Sequence, residues 1–573
     1  MQRSKVGNLV YAIPRARFRS TAFLVVTSLL IFAQATYAQR IPGTIRPGQI
    51  ERQFEGRKSP QAVEPAQKGR KEMPLPQTPA GADEIRLFVK DIQLDGATVY
   101  ATGDLRHLYQ EQLGKELTLA DIYAIANSVT RKYRGDGYVI SQVMVPEQDV
   151  EGGVVRLQVL EGFIDKVDVR GELVDGSDYV QRLLDHITQE KPVHIQTVER
   201  YMLLVNDIDG IYAQSTLVPG DQLGSSTLVV DVSRDTFDAL VGIDNRGSDF
   251  LGPVRGRLEM DFNTLFSSYS SLGAFVSSTG NDELNFGSLT FQSRLGDNGM
   301  RLMANGSIVR SEPDQGVQLR GLENNSESGL IALSYPLVRT RSHNVTLNGQ
   351  FSYYDGDVDL LGIKIGEDRV RSLRLGLTWD LFDQYGGVNI VDASLSQGLD
   401  ILDASDPDDD IVSRLDADVE FTKANLYAAR LQSVTTNFTV LAALDGQYAF
   451  DTLLSSEGYG YGGELFGRGY DPSELFGDSG AGFKLELRYL LNSGGWISKA
   501  EPYTFWDIGY VRNKTQVFGQ DRSESAASAG GGMRLNLGNS IAGYVEIAKP
   551  LTREVLAEGN KDARIYGAVS YRF

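Results

Sequence analysis

The sequence predicts a membrane all-β protein: an antiparallel outer-membrane β-barrel of about 16 strands, preceded by two small α+β modules of order β-α-α-β-β. Three observations carry this. From Thr236 to Phe573, apolar and polar residues alternate in runs of strand length. Between Ile85 and Ser233, a unit of roughly 75 residues occurs twice. Past the N-terminal leader, no stretch offers the ~20 continuous apolar residues that a spanning helix needs. A membrane crossing, if there is one, is therefore made by a closed barrel.

The N-terminus reads as an address. Arg3, Lys5, Arg15, Arg17 and Arg19 precede an apolar stretch from Thr21 to Ala33, followed by the small-residue pattern around Ala35 and Ala38. This is the order of a secretory signal peptide, residues 1–38, with cleavage at Ala35 or Ala38. A stretch of about 12 apolar residues is too short to span the bilayer as a helix. Residues 39–83 are rich in Pro, Gln, Arg and Lys and read as linker. Within them, Pro47–Glu55 has the composition of a short helix with Pro near its start.

The two modules follow, over 84–162 and 163–234. Each opens with a strand ending in glycine: Leu87–Gly96, then Ile164–Gly171. A short helix is expected near Leu105–Leu113 and again near Asp178–His186. In the first longer helix Leu119, Ile122, Ala126, Val129 and Tyr133 share a face; in the second, Ile195, Val198, Met202 and Val205 do. Thr118 with Asp121 makes a plausible N-cap for the first. Two strands close each copy, Tyr138–Val145 with Val154–Leu160 and Ile211–Val218 with Ser226–Val232.

In the barrel region, 235–573, Arg257–Phe262 and Phe483–Tyr489 place charged residues on one face and apolar ones on the other. The C-terminal run is the clearest: Ile565, Gly567, Val569, Tyr571 and Phe573 alternate with Tyr566, Ala568, Ser570 and Arg572. At roughly 20 residues per strand and connection, the region holds about 16 strands.

Composition narrows the function. The chain has 573 residues, a formal charge of −19, 61 glycines and no cysteine. Without cysteine there are no disulfides, thiolate zinc sites or cysteine nucleophiles. The four histidines, His107, His186, His194 and His343, are scattered, which argues against a histidine metal site or a Ser-His triad. No catalytic residue, metal or cofactor is expected. The acidic balance argues against nucleic acid as a partner. Two motifs imitate chemistry. Gly477-Asp-Ser-Gly480 mimics a serine-protease nucleophile but has no histidine in a suitable context. Asp406, Asp408, Asp409 and Asp410 suit a hard cation, yet lack the glycine and trailing Glu of an EF-hand.

The stretch Tyr133–Gly162, with its Gly-Tyr, Pro-Glu-Gln-Asp and Glu-Gly landmarks, resembles the first POTRA module of two-partner secretion transporters. Gly463–Gly480 looks like the sixth extracellular loop of that family, with its Arg-Gly-Tyr tip, and Phe505-Trp-Asp-Ile-Gly509 like its Phe-x-Asp-x-Gly barrel motif. The ordered set is similar to the hemolysin and filamentous-hemagglutinin transporters of the Omp85 superfamily. One departure is Gly467, where many members have an aliphatic residue.

The resemblance implies that Arg468, Gly469 and Tyr470 at the loop tip are pinned inside the barrel by Asp507, beside Gly509. A planar guanidinium can take a carboxylate in a bidentate pair, Gly469 would permit a tight backbone turn, and Tyr470 would add a ring against the wall. It implies further that Val569, Tyr571 and Phe573 form the C-terminal signal read by the barrel assembly machinery, and that the short helix plugs the pore at rest. In the first POTRA module the edge Tyr138–Val145, with Tyr138, Val139, Ile140, Val143 and Val145, is the expected place for an extended client to add as a strand.

The expected protein is thus a monomeric, non-enzymatic translocator in outer-membrane lipid, with its POTRA domains in the periplasm. Its partner would be a secreted exoprotein of adhesin or cytolysin type. The alternative is an assembly factor of the same superfamily that inserts other barrels. Such factors typically carry more modules than the two that fit between linker and barrel. A passive porin needs no repeated modules, and a secreted hydrolase lacks its catalytic set.

Overall fold

The computed structural model describes residues 42–54 except 47, residue 60, and residues 74–573 except 102, 173–177, 264, 268, 314–320, 407–410, 415, 492–493 and 517–520. The signal peptide, most of the linker and Asp408–Asp410 lie outside the described residues.

Strands Asp91–Asp95, Val154–Leu160 and Gln142–Met144 form the first module's sheet in that spatial order, the first pair parallel and the second antiparallel. Arg86–Val89 pairs with Lys115–Thr118 as a separate ribbon. Helix Leu119–Gly135 buries Ile122, Ile125, Ala126, Val129 and Tyr133 against Val143, Val155, Leu157 and Val159. Its start is a capping box. The Thr118 hydroxyl accepts from the Asp121 N–H at 3.1 Å, and the Asp121 carboxylate accepts from the Thr118 N–H at 2.8 Å. The second module repeats the plan: Phe163–Gly171, Ser225–Arg234 and Ile211–Pro219 in spatial order, with helices Asp178–Gln189 and Ile195–Asn206 packed on them through Leu183, Leu184, Ile187, Leu204 and Val205.

Two local expectations are corrected. The segment Leu105–Leu113 is not an α-helix but two 3₁₀ turns, Arg106–Leu108 and Gln110–Gln112. It ends at Gly114 in the left-handed region, φ +75°, and so short a segment cannot offset the cost of an α-helical nucleus. The strand expected at Tyr138–Val145 shrinks to Gln142–Met144. Upstream, the Tyr138 N–H bonds the Tyr133 carbonyl and the Ser141 N–H bonds the Tyr138 carbonyl, each at 3.0 Å, so 138–141 is a turn closing the helix. Downstream, Pro146 has no N–H to extend a ladder.

Sixteen antiparallel strands close into the barrel, the last, Arg564–Arg572, pairing with the first, Phe237–Asp244. Outward-facing positions are apolar, among them Val241, Ile243, Leu289, Ile331, Leu375 and Ile547. Inward positions are mostly polar or charged, with apolar ones such as Phe505 and Val511 where a lumen segment packs on the wall. Val569, Tyr571 and Phe573 face outward, and the Phe573 N–H bonds the Ala239 carbonyl at 2.9 Å beside the closing seam. Three neighbouring strands are unusually long: Leu322–Arg339, His343–Leu360 and Ile363–Phe382, of 18, 18 and 20 residues. At ~3.4 Å per residue the last is roughly 65 Å long, more than a tilted crossing needs. Its Ile363–Arg371 portion rises beyond the next strand, Gly387–Gly398, at the end away from the modules.

The second module docks on the barrel's periplasmic turns. Arg339 holds Asp207 through two bonds of 2.8 and 2.7 Å, Arg182 reaches Asp297 at 3.2 Å, and the Ser271 hydroxyl donates to Asp209 at 2.6 Å. Gly299, at φ +86°, leaves room for Leu204: a Cβ there would lie 2.4 Å from its methyl.

Residues 42–54 run through the lumen. The expected short helix is a single turn, Gln49–Arg52, starting after Gly48. The Gln49 amide donates to the Ser455 and Gly458 carbonyls at 2.9 and 3.2 Å, and Arg52 to the Ser456 carbonyl at 2.8 Å. Ile45 and Ile50 are buried among Leu251, Leu284 and Val309, and Phe54 stacks on Phe286 at 4.4 Å.

The capping box carries a testable consequence. Thr118→Ala should cost the first module's long helix about 1 kcal/mol, raising amide exchange rates across 119–135 of the full chain about fivefold. The Thr118 N–H and hydroxyl hold the Asp121 carboxyl below its usual range. The cap's contribution is therefore complete above that usual range and is lost as pH falls through the lowered value. Helix protection in the wild type should drop at acid pH, and in Thr118→Ala it should drop less.

Candidate functional site

The connection between barrel strands Phe438–Ala449 and Ser479–Tyr489 folds back into the lumen. A ribbon of Tyr459–Tyr461 with Leu475–Gly477 stiffens it, and residues 466–470 form its tip. The wall beneath it is strand Ile497–Arg512, where inward and outward positions alternate strictly from Tyr503 to Arg512. That periodicity turns Tyr503, Phe505, Asp507, Gly509 and Val511 inward and Trp506 outward.

Arg468 and Asp507 meet there, both nearly inaccessible to solvent. Arg468 Nε donates to Asp507 Oδ2 at 3.0 Å and Nη2 to Oδ1 at 2.9 Å, the two parallel bonds that a fork-shaped donor makes with a carboxylate. The backbone N–H groups of Gly467 and Arg468 also donate to Asp507 Oδ2, at 3.2 and 3.0 Å. The guanidinium lies on the Phe505 ring, 3.6 Å from its centroid, and its third nitrogen reaches Glu486 on the adjacent strand. Glu546 lies 3.8 Å away and is itself held by Arg246 and by the Tyr503 hydroxyl at 2.8 Å. Arg488 and Arg534 share Glu486 at 2.7 and 2.9 Å. Arg534 also reaches Glu501 at 3.0 Å, so each arginine of the cluster has a carboxylate partner, which is what keeps so many ions tolerable away from bulk water.

The glycines divide the labour differently from the sequence expectation. The left-handed turn is at Gly467, φ +80°, where a Cβ would also lie 2.8 Å from the Tyr461 ring. Gly469 needs no such backbone. It permits close approach, since a Cβ there would come within 2.9 Å of Ser528 and 3.0 Å of the Pro550 nitrogen. The Gly467 that departs from the family pattern is therefore the residue that lets this tip turn. Gly509 makes the matching space in the wall: a Cβ would lie 2.2 Å from the Tyr461 ring. Tyr470 is buried and its hydroxyl donates to the Ala527 carbonyl at 3.0 Å. Beyond the tip, Asp471 pairs with Arg564 of the last strand at 2.6 Å.

Sequence reasoning missed Tyr461, Glu486 and Glu546. Glu486 lies in a segment recognised for its alternating charges, but nothing in the pattern distinguishes it from other lumen-facing acids. The Gly-Asp-Ser-Gly segment is structural. Asp478 is buried, shares Arg414, and accepts the Leu453 and Lys514 N–H groups at 2.9 and 2.8 Å, while Ser479 accepts the Ala449 N–H. Among the described residues no group of His, Asp or Glu is arranged to hold a metal.

The residues expected as a client-binding edge are not together. Tyr138 packs edge-on against the His194 ring, centroids 5.2 Å apart, and Ile140 packs on the second module's core, so both belong to the joint between modules. Val139 is half-buried, Val143 is in the core and Val145 packs against it. Among the described residues the short strand Gln142–Met144 ends the sheet, pairing with Val154–Leu160 alone.

A lumen-locked loop, a 16-stranded barrel and two small α+β modules define an outer-membrane transporter. The family described as haemolysin secretion/activation protein ShlB/FhaC/HecB matches residues 224–535, and the ShlB-type POTRA domain matches residues 87–162. The chain belongs to this family of two-partner secretion transporters, which act in the outer membrane with their POTRA domains in the periplasm and are not enzymes. It is 22% identical to the heme/hemopexin transporter protein HuxB of Haemophilus influenzae over 79% of this chain and 81% of that one. It is 23% identical to the outer membrane transporter CdiB of Dickeya dadantii over 93% and 96%. The solved structure of CdiB from Escherichia coli superposes with a TM-score of 0.69 at 19% identity, covering 98% of this chain and all of that one.

Removing one partner of the Arg468 cluster leaves buried charge uncompensated. Arg468→Ala and Asp507→Ala should each lower barrel stability by about 3–5 kcal/mol, and the double variant by clearly less than the sum. Urea unfolding followed by the fluorescence of Trp506, next to Asp507, checks this. Strictly additive losses would show that the two residues do not act as a unit.

Proposed function

We propose that this chain is the outer-membrane translocator of a two-partner system: it binds one unfolded exoprotein in the periplasm through its POTRA domains and passes it through the barrel to the cell surface. The observation that carries the reading is the lumen itself. A cavity of about 1220 Å³ runs beside the locked loop, bounded by the segment 48–54 and by the barrel wall from Arg255 to Asp445. In this reading the residue 42–54 segment is the resting plug, and displacing it widens the path.

The free edge of Gln142–Met144 supports strand addition by an extended client, since main-chain bonds tolerate many sequences. Arg468 and Asp507 keep the loop seated so that the wall beside the path stays fixed. The periplasm supplies no ATP. Folding of the client outside, favoured by several kcal/mol, makes passage directional. The client is of adhesin or cytolysin type, the chain works as a monomer, and the outward-facing Val569, Tyr571 and Phe573 are read by the barrel assembly machinery during biogenesis.

The experiment is comparative proteomics of a deletion strain. Loss of one large exported protein from the medium and cell surface, with other outer-membrane barrels unchanged, is the expected result. Arg468→Ala and Asp507→Ala, at normal barrel levels, should lower export of that same protein. A broad fall in many outer-membrane barrels would instead identify an insertase.

A further inference from the structure

Two arginines face each other across neighbouring strands at the periplasmic mouth of the lumen. Arg294 lies at the end of Asn285–Leu295 and Arg301 at the start of Met300–Ser311, and the register places them directly opposite. Residues so paired have Cβ atoms about 4.5–5.5 Å apart, and like charges in that position destabilise a sheet. Both line the cavity. Between them in the chain is the turn on which the second module docks, with Leu204 against Gly299 and Arg182 at Asp297.

Neither arginine has a carboxylate partner among the described residues. Arg301 donates to Gln292 Oε1 and Ser334 Oγ, each at 3.3 Å and both neutral, and the Arg294 side chain makes no hydrogen bond among the described residues. Three other arginines of this lumen are matched: Arg255 with Asp244 at 2.8 Å, Arg339 with Asp207 at 2.7 Å, and Arg246 with Glu546. The carboxylates that act on Arg294 from the docked module, Asp207 and Asp209, are already engaged by Arg339 and by the Ser271 hydroxyl. Elsewhere on the rim, Asp238, Glu259 and Asp261 cluster on the first two barrel strands and repel anions.

We propose that Arg294 and Arg301 form a carboxylate-binding site that takes Asp or Glu side chains of a peptide chain entering the lumen. Two guanidinium forks side by side can each offer paired N–H donors to a carboxylate, and an arriving anion relieves the repulsion between them. The client then carries an acidic segment that engages here as it leaves the second module. This assignment rests on the translocator reading for its biological occupant, but not for the binding itself.

The test uses the purified full chain in detergent and a fluorescent hexaglutamate peptide, with hexaserine and hexalysine peptides as controls. Hexaglutamate alone should bind, more weakly as salt rises, and R294Q/R301Q should weaken it about tenfold. Retention of the heat-modifiable gel shift shows that the variant barrel is folded. The single variant R301E, which reverses one charge, should weaken binding at least as much and serves if the double variant does not fold. No binding of hexaglutamate, or equal binding to wild type and variants, overturns the site while leaving the proteomic result untouched. Conversely, if purified protein binds hexaglutamate and the variants do not, while the deletion strain loses no exported protein, the site stands and the translocator reading falls.

Discussion

Asp507 collects four hydrogen bonds from one loop tip, two from backbone N–H groups and two from the Arg468 side chain. A carboxylate buried on a barrel wall is costly unless donors surround it, and here nearly all the donors come from a segment that could otherwise lie outside. The loop is held inside by the same exchange. Withdrawing it would strip Asp507 of these donors, take one arginine away from Glu486 and expose the apolar faces of Tyr461 and Tyr470, so the seated arrangement is one cooperative state rather than a sum of contacts. The surroundings conform to it: Gly509 is bare so that Tyr461 can lie flat on the wall, and Gly467 turns where a side chain would strain.

The second constraint is at the other end. The module nearest the membrane is clamped to the barrel by ion pairs and by apolar contacts, Leu204 at Gly299 and Tyr179 on Tyr269, whereas the two modules meet through Tyr138, Ile140 and the His194 ring. Because the His194 Nδ1 accepts the Gln196 N–H, its Nε2 carries the proton donated to the Asp136 carbonyl. The Nε2 bond crosses the joint, while the Nδ1 bond, made within the second module, sets the ring's tautomer.

Much of this was legible in the sequence because barrels and small sheets obey a simple period. Alternation along Ile565–Phe573 and Phe483–Tyr489 names the faces, and helix Leu119–Gly135 shows both its stripe and its cap. The apolar run Tyr138-Val-Ile misled because it has strand composition but spends its side chains on an interface that periodicity does not encode. Arg468 and Asp507 were reached through resemblance. Their partners Glu486 and Glu546 were not, since lumen acids look alike until strand register sets which of them stand opposite. The turn expected at Gly469 falls instead at Gly467 for the same reason: a glycine's letter does not tell a left-handed turn from a close approach.

The seated loop lies between the eleventh and twelfth barrel strands, yet its last contacts are with Pro550, Glu546 and Arg564, near the very end of the chain. The tip therefore cannot complete its bonds until the final strands have arrived. Seating of the loop and closure of the cylinder become a single event, and a chain cut short by even its last strand would keep Asp471 without Arg564. The loop acts as a built-in check on completeness: only a barrel made to its end can present a finished interior.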